Sequence, residues 1–262
     1  MSSTTLPTVV FLPGAWHLPN CFDLVRHDLE SLGYETEAVA FPSVGTEPPN
    51  KGLADDAAAA RSVIERLVDQ GKQVVLAVHS YGGLVGANAV EGLGYKQRAK
   101  EGKKGGVILF AYIAAFVVGK GGSLLGQLGN QWLPWMIPSA LEGDLGQQSG
   151  YVTIDNPEEV MYHDVEPELR KKLVSELKHQ SAPVFSGTVT YEPWLDIECM
   201  YYFSEDDKAL PIMYQEKLAQ NLPSETLRYR SKTSHSPFLS KPREVAKALV
   251  EAAKIGQERT LA

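Results

Sequence analysis

Apolar and polar positions along this chain switch between two periods. Short runs rich in β-branched and large apolar residues read as buried strands: Thr8-Val-Val-Phe-Leu12, Glu35 to Phe41, Gln73-Val-Val-Leu-Ala-Val-His79 and Val107 to Ala111. Between them, apolar residues recur every three or four positions. Phe22, Val25, Leu29 and Leu32 form such a stripe from Cys21 to Leu32, closed by Gly33. Val63, Ile64, Leu67 and Val68 form another in the alanine-rich stretch Leu53 to Gln70, closed by Gly71. The alternation returns late in the chain, with strand Ile197 to Phe203, helix Pro211 to Leu222, strand Glu225 to Tyr229 and helix Pro242 to Gly256. Strands alternating with helices predict an α/β fold whose central sheet is mostly parallel and flanked by crossover helices.

The pattern breaks over residues 119–194, where Gly, Pro and aromatic residues cluster. One helix is predicted inside the break, Pro167 to Gln180, with Leu169, Leu173, Val174 and Leu177 on one face. An interruption within one sheet predicts a helical cap inserted before the last strands, over the strand ends where open α/β sheets bind ligands. No repeat or long linker divides the chain, so residues 1–262 are expected to form one domain with this cap.

Composition narrows the classes. The chain has 262 residues, 44% of them hydrophobic, and a formal net charge of −7. Such hydrophobicity excludes disorder, and the acidic balance gives no field for collecting nucleic-acid phosphates. The basic stretch Lys96 to Lys104 is expected to be a solvated loop. Cys21 and Cys199 lack C-x-x-C spacing and are expected to be reduced and buried. The longest apolar run, Val107 to Val118, is too short to span a bilayer, and the first residues do not read as a secretory signal. The expected location is cytoplasmic.

The chemistry starts at His79-Ser80-Tyr81-Gly82-Gly83, where a predicted strand runs straight into a predicted helix. This is the setting of a nucleophile elbow, a tight turn that projects a serine at the sheet edge. The full pattern is G-x-S-x-G, and Val78 stands where the first Gly belongs. A serine hydroxyl needs a base to become a nucleophile. Of the six histidines, His27 and His179 sit on predicted helices with solvated neighbours, and His79 points away from Ser80 into packing. His17 and His163 are read as structural, in the first loop and the cap. His235, in Thr233-Ser-His-Ser-Pro237, lies between the last strand and the last helix, at the same edge as the elbow. The group that orients its imidazole is sought in Ser204-Glu-Asp-Asp-Lys-Ala-Leu-Pro211, where Glu205, Asp206 and Asp207 all follow a strand end.

Together, Leu12-Pro-Gly-Ala-Trp-His17, Val78-His-Ser-Tyr-Gly-Gly83, Asp207-Lys-Ala-Leu-Pro211 and His235-Ser-Pro-Phe-Leu-Ser-Lys-Pro242 resemble the signatures of α/β-hydrolases. The branch they are most similar to is that of small plant esterases, hydroxynitrile lyases and their microbial relatives. The resemblance runs from the first strand to the last helix, in the family's order of nucleophile, acid and histidine. It implies Asp207 as the acid, with Asp206 as the fallback, and an oxyanion hole from the backbone N–H groups of Ala15 and Tyr81. The chain departs from the family pattern at Val78 and at Pro13, where relatives commonly carry His.

The lyases of this branch fill the oxyanion region with Thr and place Lys after the catalytic His. Here Gly14 and Ser236 occupy those positions, which disfavours the lyase. Epoxide hydrolases and dehalogenases of the fold use an Asp nucleophile, and Ser80 argues against both. The implied function is hydrolysis of a carboxylic ester or lactone through an acyl-enzyme on Ser80, with Asp207 and His235 completing the triad. The alternatives are non-hydrolytic chemistry on the same triad, by C–C cleavage or intramolecular acyl transfer, and ligand binding with little turnover. Gly14 and Trp16 of the first loop, with Trp132, Trp135 and Met136 of an aromatic cluster in the cap, are the candidate substrate contacts. No metal or organic cofactor is implied. The expected partner is a small-molecule substrate, with no nucleic acid or membrane, and a homodimer is compatible with the sequence.

Overall fold

The computed structural model describes residues 5–139 and 150–261. The first half runs β1 (Thr8–Leu12), α1 (Asp23–Ser31), β2 (Thr36–Ala38), α2 (Leu53–Asp69), β3 (Gln73–His79), α3 (Gly82–Val90), α4 (Tyr95–Lys100) and β4 (Gly106–Ile113). An insertion follows, with α5 (Leu124–Gln127), β5 (Met136–Ser139), β6 (Tyr151–Ile154), α6 (Pro157–Tyr162), α7 (Pro167–Glu176), β7 (Gln180–Ser181) and α8 (Pro183–Ser186). The chain then returns through β8 (Cys199–Ser204), α9 (Ile212–Leu218), β9 (Leu227–Ser231), α10 (Pro237–Ser240) and α11 (Pro242–Leu261).

Six strands form one parallel sheet in the order β2-β1-β3-β4-β8-β9. Every residue of β1, β4 and β8 is buried, which is why these strands read as unbroken apolar runs rather than as alternation. From β1 the chain moves outward to β2, then crosses to β3 on the other side. The connections after β1 and β3 therefore leave in opposite directions, and the crevice between them is the site such sheets offer to ligands. Ala15 follows β1 and Ser80 follows β3; Asp207 and His235 follow β8 and β9 at the same edge.

Three expectations change. The insertion is not only helical: β5, β6 and β7 make an antiparallel sheet, which the Gly- and Pro-rich sequence did not reveal because each strand is two to four residues long. The predicted helix to Gln180 ends at Glu176, where Leu177 turns to an extended conformation, and Gln180 pairs with Val152 as a strand. The basic stretch is not a solvated loop either. Residues 95–100 form α4, and Arg98 is buried, donating to the carbonyls of Val68, Lys104 and Gly105 and to the Asp69 carboxylate at 2.8 Å. It thereby ties the Val68 carbonyl in the last turn of α2 to the loop that leads into β4. Cys21 and Cys199 are free and buried. Among the described residues no helix is long and apolar enough to cross a membrane.

Candidate active site

Ser80 follows β3 at φ +51°, in the left-handed region that a residue with a side chain rarely adopts. The strain is held by close packing. A β-carbon on Gly83 would lie 2.2 Å from the Phe116 carbonyl oxygen, so only glycine lets α3 start this close to the segment after β4. The missing first glycine of the elbow has a compensation eight residues on. Val78 places its Cγ1 where a β-carbon on Gly86 would stand, 2.8 Å from that atom, so the glycine on α3 makes room for the valine on β3.

His235 and Asp207 come together at the far end of the crevice. His235 Nδ1 and Asp207 Oδ2 are 2.7 Å apart, with both side chains buried. The carboxylate is held from three further directions. Its Oδ1 accepts from the backbone N–H groups of Ala209 at 2.8 Å and Leu210 at 2.7 Å, and its Oδ2 accepts from Gln215 Nε2 at 3.1 Å. Asp206, the fallback, is exposed on the other side of the turn, its backbone N–H bonded to the Thr233 carbonyl and its own carbonyl accepting from His163. With Nδ1 taken by the carboxylate, Nε2 of His235 is the nitrogen left to exchange a proton.

The other buried histidines serve as braces. Burial pushes the His79 imidazole well below its ordinary pKa, so it is neutral, and Nε2 donates to the His235 carbonyl at 2.8 Å. That bond ties the His235 loop to β3. Burial likewise lowers His17 to about 4. Its Nδ1 donates to the Ala15 carbonyl at 2.7 Å, which leaves Nε2 to accept from the Tyr162 hydroxyl at 2.7 Å. His163 and His179 bond backbone carbonyls near the surface, and His27 is exposed.

Ser80 and His235 line one cavity, shared with Ala15, Trp16, Tyr81, Trp135 and Met136. Phe116, Leu124, Leu128, Leu133, Phe185, Ala209 and Leu210 complete a wall that, among the described residues, holds no Asp, Glu, Lys or Arg. Of the five candidate substrate contacts, Trp16, Trp135 and Met136 reach the cavity. Gly14 lies beneath it, where a β-carbon would meet Ser80 Cβ at 3.1 Å, and Trp132 packs edge-on against Phe185, one layer back. Sequence reading missed Phe116 and Phe185. The first comes three residues after β4, a position that could have marked it; the second carries no local signal. Among the described residues the backbone N–H groups of Ala15 and Tyr81 make no hydrogen bond within the chain, so two unspent donors belong to residues of the cavity wall beside Ser80.

A family model described as "Alpha/beta hydrolase family" matches residues 9–248. The chain belongs to the alpha/beta hydrolase family. It is 30% identical to the alpha/beta hydrolase nvfD of Aspergillus novofumigatus over 94% of this chain and 96% of that protein. Among solved structures, this alpha/beta hydrolase superposes on polyneuridine aldehyde esterase with a TM-score of 0.77 at 17% identity, covering 94% of this chain and 99% of that one. A pyrethroid hydrolase from Sphingobium faniae JZ-2 gives a TM-score of 0.71 at 21% identity, covering 97% and 100%. At such identities the likeness shows the alpha/beta hydrolase fold.

Proposed function

We propose that this alpha/beta hydrolase cleaves a carboxylic ester or lactone of a small to medium apolar compound through an acyl-enzyme on Ser80. The observation that carries the reading is the buried His235–Asp207 pair at 2.7 Å, opening on the same cavity as a serine held in a strained turn. His235 Nε2 takes the Ser80 proton as Oγ attacks the carbonyl carbon. Asp207 holds the imidazole tautomer and stabilises its cation. The carbonyl oxygen gains the negative charge and accepts from the N–H groups of Ala15 and Tyr81, each such donor being worth roughly 3 kcal/mol of barrier. Collapse of the intermediate expels the alcohol, which takes the proton from His235. Water then attacks the acyl-enzyme, giving its proton to the same imidazole, and the acid leaves with Ser80 restored. With a lactone the alcohol stays tethered to the acyl group and both leave as one hydroxy acid.

The cavity wall supports an uncharged substrate, since among the described residues it holds no Asp, Glu, Lys or Arg to pair with a carboxylate or ammonium. The names of the structural neighbours, an esterase and a hydrolase, agree with ester cleavage. The test is intact mass after exposure to a fluorophosphonate, with Ser80→Ala alongside and turnover of an ester and lactone panel. The expected result is one adduct, lost in Ser80→Ala, with hydrolysis of neutral esters. A folded protein that takes no adduct and turns over no ester would overturn it in favour of ligand binding.

A further inference from the structure

Behind the cavity lies a second set of polar groups that the chemistry above leaves unused. Asp56, on α2, is fully buried, and three donors converge on its carboxylate. Oδ1 accepts from the Ser43 backbone N–H at 3.0 Å; Oδ2 accepts from the Ser43 hydroxyl at 2.5 Å and from the Tyr81 hydroxyl at 2.8 Å. The chain of bonds continues. Gln180 Nε2 donates to the Ser43 hydroxyl at 2.6 Å, and Gln180 Oε1 accepts from the backbone N–H of Trp16 at 3.0 Å. Ser43, Gln180 and Tyr81 are all fully buried. An unbroken path thus links the side chain of Tyr81, whose N–H is one proposed oxyanion donor, to the amide that follows Ala15, whose N–H is the other.

The Trp16 end of the path needs holding. Trp16 sits at φ +68°, a left-handed conformation that a bulky residue adopts only when its surroundings impose it. Besides the Gln180 bond, its carbonyl accepts from the Lys178 N–H at 3.1 Å and its indole N–H donates to the Val152 carbonyl at 2.7 Å. All three anchors lie in β6, in β7 or just before it. On the other side of the same peptide, His17 donates to the Ala15 carbonyl. The Ala15–Trp16 peptide is therefore gripped at both its oxygen and its nitrogen, and the nitrogen's grip comes from the insertion. At the other end, burial raises the Asp56 carboxyl to about 6, so keeping it here costs stability that an apolar residue would not.

We propose that Asp56 and Gln180 are positioning residues for the oxyanion hole: joined through Ser43, they fix the two loops that carry its donors, and the small sheet of the insertion thereby sets the hole. The inference rests on the esterase reading of Ser80. It makes the insertion more than a cover for substrate, because the residue that restrains the Ala15 loop is supplied by β7.

The experiment measures kcat and KM on a neutral ester, per Ser80 titrated with a fluorophosphonate, for the wild type, Asp56→Asn, Gln180→Met and the double variant. Affinity for a trifluoromethyl ketone, which forms an oxyanion on Ser80, is measured beside it. Asn offers one acceptor oxygen to three donors, and Met offers none to Trp16. Because losing an oxyanion donor outright costs 10²–10³ in kcat, displacing one is expected to lower kcat about tenfold, with KM within about twofold. Ketone affinity should fall by the same factor as kcat. The double variant should lose little more than the worse single one, since both cut one path. If a substitution prevents folding, Tyr81→Phe removes only the hydroxyl end and should show the same kcat-against-KM split. Folded variants with wild-type kcat and ketone affinity per labelled serine would overturn the proposal while leaving the esterase reading intact. A wild type with neither label nor turnover would overturn that reading, and this one with it.

Discussion

Val78 and Gly86 exchange volume across the β3–α3 contact: the valine Cγ1 fills the space in which a β-carbon at position 86 would stand. The elbow therefore tolerates a side chain where its pattern calls for glycine, because the opposing helix gives up its own. Gly86→Ala forces that β-carbon to 2.8 Å from both Val78 Cγ1 and Phe110 Cζ, and should cost about 1–3 kcal/mol of stability. In a Val78→Ala background the cost should drop by at least about 0.5 kcal/mol, the coupling expected of residues in contact. Urea unfolding of the four proteins measures it. Additive losses would show that the two positions do not share the space.

Asp206 and Asp207 are neighbours in sequence with opposite surroundings. Asp207→Asn should lower kcat roughly 10⁴-fold, because an amide at this position disfavours the imidazole tautomer that the reaction needs. Asp206→Asn, on an exposed side chain, should leave kcat essentially unchanged. Steady-state rates on one activated ester decide between them, and the reverse result would move the acid to Asp206.

Trp135 lines the cavity and meets Trp16 edge-on, with ring centroids 5.6 Å apart. Trp135→Ala should raise KM for aryl esters about tenfold or more, the scale of losing a buried aromatic contact, while acetates of short alcohols change little. A panel graded by alcohol and acyl size reads this out. Equal losses for every ester, large or small, would mean that Trp135 only packs the insertion.

His17 links pH to stability. Its folded pKa is lowered from 6.5 to about 4, so the unfolded chain takes up a proton first as pH falls. The stabilisation is fully present above pH 6.5 and is lost as pH drops toward 4, by about 3 kcal/mol at roughly 1.4 kcal/mol per unit. Asp56, raised to about 6, works in the opposite direction through part of this window, and both proteins compared retain it. His17→Gln should therefore lose less stability than the wild type between pH 7 and pH 4.5. Denaturant midpoints at the two pH values test the sign.

The strands of the six-stranded sheet, the longer helices outside the insertion and the elbow were legible from the sequence because each rests on local order. Apolar runs mark strands buried on both faces, stripes at helical spacing mark α2 and α11, and a serine between a strand and two glycines marks a tight turn. Chain order also places a histidine after the last strand. What the sequence left open depends on contacts between distant segments. Nothing local distinguishes Asp206 from Asp207; the choice lies in which side of one turn faces the imidazole and which faces solvent. Gln180 continues an apparent helix in sequence, yet β6 and the loop at Ser43 pull it into a strand. Arg98 reads as one charge in a basic run, and only the Val68 carbonyl of α2 and the carbonyls of the loop before β4 make it a buried donor. Asp56 lies in an alanine-rich helix with no pattern to single it out, and its partners are Ser43 and Tyr81, from two other parts of the chain. Hydrogen bonds between segments so far apart leave no period in the sequence, so they exist only once the sheet has brought their ends together.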